Sequence, residues 1–527
     1  MKIELTGKSI IGFNRGEKQE KTFRAYKPQT GEQIEPDFFS ASMAELNQAV
    51  KLAHEARIVY GKVSGREKAV FLRQIAENIE SLGDDLINRA TLETGLPTAR
   101  FQGERGRTCS QLRLFADLVE EGSWVDARID LSNKNRQPLP KPDVRSMLRP
   151  IGPVAVFCAS NFPLAFSVAG GDTTSALAAG CPVVVNAHSA HPGTAELVGA
   201  AISEAVKTCN LPEGVFSLLF SVDYEIGQAL VKHSDIKAVG FTGSRAGGRA
   251  LMEIAASRPE PIPVYAEMSS VNPTFILPGV LDEKCDEIVS GLHGSFTLGV
   301  GQFCTKPGVV IVPENGALEQ FTAKLNELIK QTAALPLLTA GIRKNYQQNT
   351  AQRGETIALI SGSNELTGFA VNASVFQTSA VEFLQNPDLS DEIFGPTTIL
   401  VKSDQRAELL EIARRMEGQL TATIFGTAQD LREYADLIEV LETKAGRLIF
   451  NGFPTGVEVC QAMVHGGPFP ATSDSRSTSV GTRAINRFAR LVCYQNFPDE
   501  TLPDELKNDN PLRIWRLVDS EFSKLKM

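Results

Sequence analysis

At 527 residues the chain exceeds the roughly 250–300 that one hydrophobic core accommodates, and about 150 residues per unit points to roughly three or four domain-sized pieces. Its 42% hydrophobic and 22% charged content excludes wholesale disorder, which needs low hydrophobicity and high net charge. A net charge of −9 leaves no basic footprint for nucleic acid, and no apolar run reaches the ~20 residues that span a bilayer. The N-terminus lacks the apolar core and small-residue cleavage site of a secretory signal. Eight cysteines occur without a C-x-x-C pair, which disfavours a zinc site or a disulfide scaffold. A soluble cytoplasmic protein is expected.

Taken in chain order, the first third is largely helical. Leu46, Val50 and Ala53 recur at helical spacing behind Ser42, a ready N-cap. Further helices are expected over residues 67–80 and 104–119, before Pro138, Pro140 and Pro142 interrupt regular structure with a connector or edge strand. From Arg149 short apolar runs alternate with amphipathic stretches: strand 154–157 then helix 164–179, 183–185 then 193–206, 215–220 then 226–231, 236–241 then 246–256. That alternation predicts βαβ units on a parallel sheet, whose ligands bind beyond the carboxyl ends of the strands. The pattern resumes with helix 285–298, strand 309–312, helix 318–331 and strands at 398–401, 422–425 and 447–450, enough for a second α/β unit. Residues 508–527 are charged and read as a surface extension.

Four segments carry chemistry. Phe241-Thr-Gly-Ser-Arg-Ala-Gly-Gly248 runs from strand through glycines into a helix, where free N–H groups suit a phosphate; an ordinary strand-to-helix turn would look the same. Gly299-Val-Gly-Gln-Phe-Cys304-Thr-Lys306 puts a thiol in a glycine loop near a lysine, features that lower a thiol pKa, although a buried cysteine is commonly a small hydrophobe. Glu267 ends an apolar run, where desolvation raises a carboxyl toward the range of a general base; a salt-bridged strand-end glutamate is the alternative. Asn161, after another buried strand, can aim an amide at a developing oxyanion or simply turn the chain before Pro163. Together they make a thiol nucleophile, a base, an amide donor and a phosphate-accepting turn, the inventory for oxidising an aldehyde through a thioester.

With these residues, the chain resembles the aldehyde dehydrogenase superfamily. The matching stretches, in the family's order, are Ala159-Ser-Asn-Phe-Pro-Leu-Ala165, Phe241-Thr-Gly-Ser244, Ala266-Glu267, Gly301-Gln-Phe-Cys-Thr305, Glu392-Ile-Phe-Gly-Pro396 and Asn451-Gly452. Tyr265-Ala-Glu-Met-Ser-Ser-Val-Asn-Pro273 and the segment through Met463-Val-His-Gly-Gly-Pro468 are similar to a branch holding α-ketoglutaric semialdehyde (2,5-dioxovalerate) dehydrogenases and NADP-dependent fatty aldehyde dehydrogenases. The resemblance implies an α/β fold with a Rossmann-variant cofactor domain (1–122 and 150–280), an α/β catalytic domain (281–473), a small β oligomerisation arm (123–149 and 486–495) and a C-terminal extension (498–527). It implies Cys304 as nucleophile, Glu267 as base for water and Asn161 with the Cys304 N–H as oxyanion donors.

For the cofactor, NAD or NADP, the same resemblance places Asn186 at the adenosine ribose, with Ser189 also nominated for cofactor binding, Gly243 and Ser244 at the pyrophosphate, Glu392 on the nicotinamide ribose and Phe394 beside its ring. Asn186 stands where the family usually has lysine, and Asp223 and Glu225 follow nearby, so NAD is expected to serve at least as well as NADP. Arg107, then Arg105, are nominated to hold a substrate carboxylate, with Phe162, Phe166 and Phe469 walling the channel; a solvated helix charge or plain core would read alike. His188 and His191 are three apart but have no acidic or cysteine company, so no metal is expected and a capping or solvent-facing role is favoured. The expected partner is a small-molecule aldehyde, in a homodimer or homotetramer. The alternatives are a medium- or long-chain aliphatic aldehyde dehydrogenase and a non-catalytic protein on the same scaffold.

Overall fold

The computed structural model describes residues 2–527. Two seven-stranded sheets dominate it. In the first, Val154–Phe157, Val183–Asn186, Phe216–Leu219, Ala238–Thr242 and Val264–Glu267 are parallel neighbours in the spatial order fifth, fourth, first, second, third. Ile10–Ile11 pairs antiparallel beyond them, with Asn14–Arg15 outside. Strand alternation sends Val154, Val156, Val183 and Val185 to one core with helices Gly65–Ser81, Thr98–Glu121, Gly171–Ala179 and Pro192–Thr208. It sends Ala155, Phe157, Val184 and Val239 to another, with helices Met43–Tyr60, Tyr224–Lys232 and Arg245–Ala256. Burial on both faces explains why these strands read as unbroken apolar runs.

The first helix starts as its sequence requires. Ser42 accepts from the Glu45 N–H while the Glu45 carboxylate accepts from the Ser42 N–H, a reciprocal cap that Ser64 and Glu67 repeat for Gly65–Ser81. The helix expected over 164–179 is shorter, Gly171–Ala179. Buried Glu104 explains the loss: its Oε1 accepts from the N–H groups of Leu164 (2.9 Å) and Ala165 (3.0 Å), satisfying them outside any helix.

The second sheet runs Ala358–Ser361, Ser374–Ser379, Thr397–Ser403, Val309–Pro313, Thr274–Ile276, Gln419–Phe425 and Ala445–Phe450, parallel except at its first edge. Because Thr274–Ile276 belongs to it, this unit begins before the boundary expected after residue 280. A five-stranded sheet joins Ala489–Gln495, Val144–Pro150 and Arg128–Asp130 to Arg516–Val518 and Glu521–Ser523. The stretch read as a surface extension is therefore built into this sheet, and its Ile514, with Leu502 and Leu506 just before it, packs with Val125, Ile129 and Met147. Its charge pattern hid these apolar residues, spaced too irregularly for either helical or strand periodicity. No described helix is long and apolar enough to cross a membrane.

Candidate active site

Strand order in the first sheet reverses between Val154–Phe157 and Ala238–Thr242, the switch point where open α/β sheets leave a ligand crevice. Asn161 follows one flanking strand, Gly243 and Ser244 follow the other, and Glu267 ends the next strand out. The Gly243 N–H donates to the Glu267 carbonyl at 3.0 Å, tying the two strand ends together. Ser244 caps helix Arg245–Ala256, its hydroxyl accepting from the Gly247 N–H.

Cys304 comes from the second unit, on the loop between helix Pro278–Thr297 and strand Val309–Pro313. Gly299, Val300 and Gly301 hold φ near +57°, +60° and +66° in succession. A β-branched residue in that region costs about 1–3 kcal/mol, and a side chain at Gly301 would meet the Gly395 carbonyl oxygen at 2.2 Å. Close seating against Gly395 and Pro396 is what Gly301 permits. The Asn272 amide locks the far side, donating to the carbonyls of Cys304 (2.8 Å) and Lys306 (3.0 Å).

The Asn161 Nδ2 donates to the Gln302 carbonyl at 2.9 Å, which aims the amide at the nucleophile's loop and leaves its second N–H free. Glu267 is buried, with Oε1 2.9 Å from His465 Nε2 and Oε2 accepting from the Ser479 hydroxyl at 2.6 Å. His465 Nε2 is also 3.5 Å from Cys304 Sγ. One imidazole nitrogen thus stands between base and nucleophile. Neither His465 nor Ser479 is expected from the sequence. They lie in irregular chain after the second sheet, where Met268 N–H to Ala471 and Ser473 N–H to Ala266 bonds return that segment to Glu267. The only available signal is a histidine before Gly-Gly-Pro in a segment already singled out.

The electrostatics differ from expectation in sign. Burial pushes the Cys304 thiol well above its usual range, and the Glu267 carboxylate adds to the rise. Lys306, expected to help the thiol, points elsewhere and donates to the carbonyls of Ile393 (3.2 Å) and Thr397 (2.7 Å). Burial would also raise Glu267, but the His465 imidazole, the Ser479 hydroxyl and the Cys304 thiol outweigh it and leave the carboxyl below its ordinary value. The resting pair is a protonated thiol beside an ionised carboxylate.

Among the channel residues, Phe162 and Phe166 meet at a ring separation of 5.2 Å, and Phe303 packs 5.1 Å from Phe162. Arg107 lies 5.3 Å over Phe166, and its Nε and Nη2 are buried without a hydrogen-bond partner. Arg105 is turned away, donating to the Gly83 carbonyl. Phe469 is exposed beside Arg245, 5.7 Å from its guanidinium, away from the Phe162, Phe166 and Phe303 ring cluster. Spacing along a helix or loop does not give direction, which is why the sequence groups these two with residues that they do not contact here. His191 is buried, not solvent-facing: Nε2 is 3.1 Å from the Ala159 carbonyl, supporting the turn that carries Asn161.

On the crevice side, Glu392 borders a cavity of about 510 Å³ with Arg245, Ser269 and Arg353. Burial raises the Glu392 carboxyl and lowers the neighbouring Lys306 ammonium. Phe394 is half-buried in the same loop. Asn186 accepts from the Ser221 hydroxyl (2.9 Å), Ser189 is exposed, and Asp223 and Glu225 are ion-paired with Lys21 at 3.3 and 2.8 Å.

A thiol and ionised base facing an amide donor, on a dinucleotide-type sheet, define an enzyme that oxidises a carbonyl while holding it on sulfur. The chain belongs to the aldehyde dehydrogenase family, whose model matches residues 14–468. It is 49% identical over 523 residues to α-ketoglutaric semialdehyde dehydrogenase 2 of Azospirillum brasilense, covering 98% of this chain and 100% of that one. It is 47% identical over 492 residues to α-ketoglutaric semialdehyde dehydrogenase of Acinetobacter baylyi, covering 92% and 93%. The fold matches an NAD+ complex of aldehyde dehydrogenase from Bacillus cereus with a TM-score of 0.78 at 22% identity, covering 93% and 96% of the two chains.

Proposed function

We propose that this aldehyde dehydrogenase oxidises α-ketoglutaric semialdehyde to 2-oxoglutarate with NAD or NADP. Two relatives at nearly half identity over almost their whole length carry that substrate in their names. Cys304 gives up its proton to the Glu267–His465 pair as its sulfur attacks the aldehyde carbon, giving a thiohemiacetal on Cys304. The Asn161 amide and the Cys304 N–H hold the oxyanion. A nicotinamide held by Glu392 and Phe394 would supply the acceptor for the hydride that leaves the Cys304-bound carbon, so that the adduct becomes a thioester. Once the thiol's proton has passed from the pair to solvent, Glu267 takes a proton from the water that attacks the thioester and returns it to the departing Cys304 sulfur, freeing the acid and restoring the thiol.

The site has the groups a dinucleotide needs: Glu392 and Phe394 for the nicotinamide riboside, Gly243 and Ser244 at a helix N-terminus for the pyrophosphate, and Asn186 and Ser189 for the adenosine ribose. Asn186 supplies no charge to a 2′-phosphate, so NAD serves at least as well as NADP. Lys21 pairs with both Asp223 and Glu225 and offsets part of their charge, but it leaves one net negative charge there and no arginine for a 2′-phosphate. Initial rates with both cofactors at equal subsaturating concentration check this, and a large NADP preference defeats it.

The observation that carries the substrate is Arg107, whose two unpartnered buried N–H groups suit a carboxylate. Burial lowers this guanidinium's pKa, partly offset by the Glu104 carboxylate. Arg107→Ala is expected to raise KM for the acidic semialdehyde by roughly 10–100-fold, the worth of a charged hydrogen bond of about 1.5–3 kcal/mol, and to leave a neutral aliphatic aldehyde nearly unchanged. Equal effects on both remove the contact and favour the aliphatic alternative, which the Phe162, Phe166 and Phe303 rings also suit. Strand Ala489–Gln495, paired on one side only and with Leu491 66% exposed, is the edge through which subunits pair as a dimer or tetramer. Eight free cysteines fit the reducing cytoplasm.

A further inference from the structure

The arrangement around His465 has a second chemistry. Cys304 Sγ and His465 Nε2 are 3.5 Å apart, His465 Nε2 and Glu267 Oε1 are 2.9 Å apart, and one donor atom from each of the three residues falls within 4.8 Å of the others. We propose that this thiol, imidazole and carboxylate form a three-donor site for a divalent cation of the zinc class, whose binding reversibly shuts the enzyme. Tetrahedral zinc, with bonds of about 2.0–2.3 Å, needs donor separations of roughly 3.3–3.6 Å. The sulfur–nitrogen pair already has that spacing, and the nitrogen–oxygen pair must widen by a few tenths of an ångström.

The donor set selects the ion. A thiolate with an imidazole suits zinc, whereas magnesium and calcium seek oxygen. The carboxylate is held from behind by the Ser479 hydroxyl, and the His465 backbone by its N–H to Thr478 Oγ1 at 2.8 Å, so the ligands are oriented before the ion arrives. The opposite ring nitrogen, His465 Nδ1, is buried without a partner. A site lacking that outer support is weaker than a resident structural centre, as a reversible inhibitor requires. Binding exchanges the thiol proton for the cation and releases that proton to solvent, with no change in oxidation state. The sulfur electron pair that attacks the aldehyde then lies in the metal bond, and the Glu267 oxygen is no longer free to accept from water.

The test titrates the full-length protein with cobalt(II), without cofactor or aldehyde and under a non-thiol reductant. One ion per chain is expected, with a near-ultraviolet sulfur-to-cobalt band and the intense visible bands of four-coordination; zinc should displace it. Zinc should also inhibit aldehyde oxidation competitively with the aldehyde, and chelation should restore the activity. Cys304→Ser should abolish the sulfur band, and His465→Gln should weaken zinc by more than the ~10–100-fold typical of outer-shell changes. Glu267→Gln is the second variant should His465→Gln misfold, with circular dichroism as the control for each. An unchanged band and affinity in the Cys304 and His465 variants would place the metal on another cysteine and overturn the proposal. So would a wild type that shows no band, or zinc inhibition that is not relieved by chelation.

Discussion

The two large sheets share a parallel architecture and use opposite ends of it. The first offers residues that follow its strands: Asn161, Gly243, Ser244 and Glu267. The second offers residues that precede its strands: Asn272 before Thr274–Ile276, Cys304 before Val309–Pro313, and Glu392 and Phe394 before Thr397–Ser403. Its carboxyl ends are closed instead. After Gln419–Phe425, Asp430 caps its own helix through Thr427 and also accepts from the Gly279 N–H at the start of helix Pro278–Thr297, while Asn451 bonds Gly426 in both directions. The rule that ligands sit beyond the carboxyl ends of parallel strands therefore locates half of this site. The other half is there because the second sheet is docked with its amino ends toward the crevice.

The comparison breaks most sharply at Cys304. Cys304→Ser is expected to lower kcat for every aldehyde by about 10⁴-fold or more, the scale of losing a nucleophile, with cofactor affinity retained when measured by fluorescence titration. The wild-type kcat/KM should also rise with pH above the ordinary thiol range near 8.5, because a raised thiol pKa moves the reactive thiolate to higher pH; the serine variant should lose that limb. A flat wild-type profile would mean that the proton leaves before substrate arrives. At the closed end, Asp430→Ala should cost about 1–3 kcal/mol of stability by stranding the Gly279 and Thr427 N–H groups, while kcat stays within about twofold. Thermal unfolding and steady-state rates measure the two effects, and a large fall in kcat without loss of stability would erase the distinction between the ends.

Cys304, Glu267 and Asn161 were legible because each sits where an apolar run or glycine turn stops, and local pattern marks such stops. The strand alternation from Val154 to Glu267 was legible for the same reason. What pattern cannot carry is direction and distance. Arg105 and Arg107 are two residues apart on one helix, about 200° around its axis, and only Arg107 meets the channel aromatics. Lys306 is two residues from the nucleophile yet serves the carbonyls of Ile393 and Thr397. His465 is 198 residues from Glu267, and no local periodicity encodes a meeting made through irregular chain. Closeness of Lys306 to Cys304 along the chain is not closeness of charge in space, and burial beside Glu267 sets the thiol's pKa instead.

Glu104 joins what the chemistry might have kept apart. One of its oxygens takes Leu164 and Ala165, just past Asn161, while the other takes Arg100, which lies over Phe162 and Phe303 at 4.4 and 4.8 Å. The helix proposed to hold the substrate's tail and the turn proposed to hold its carbonyl oxygen are thus tied together through one carboxylate. Evolution toward a longer or shorter aldehyde cannot reshape the gripping helix without also nudging the oxygen's cradle, so changes in taste and changes in speed should arrive together in this lineage.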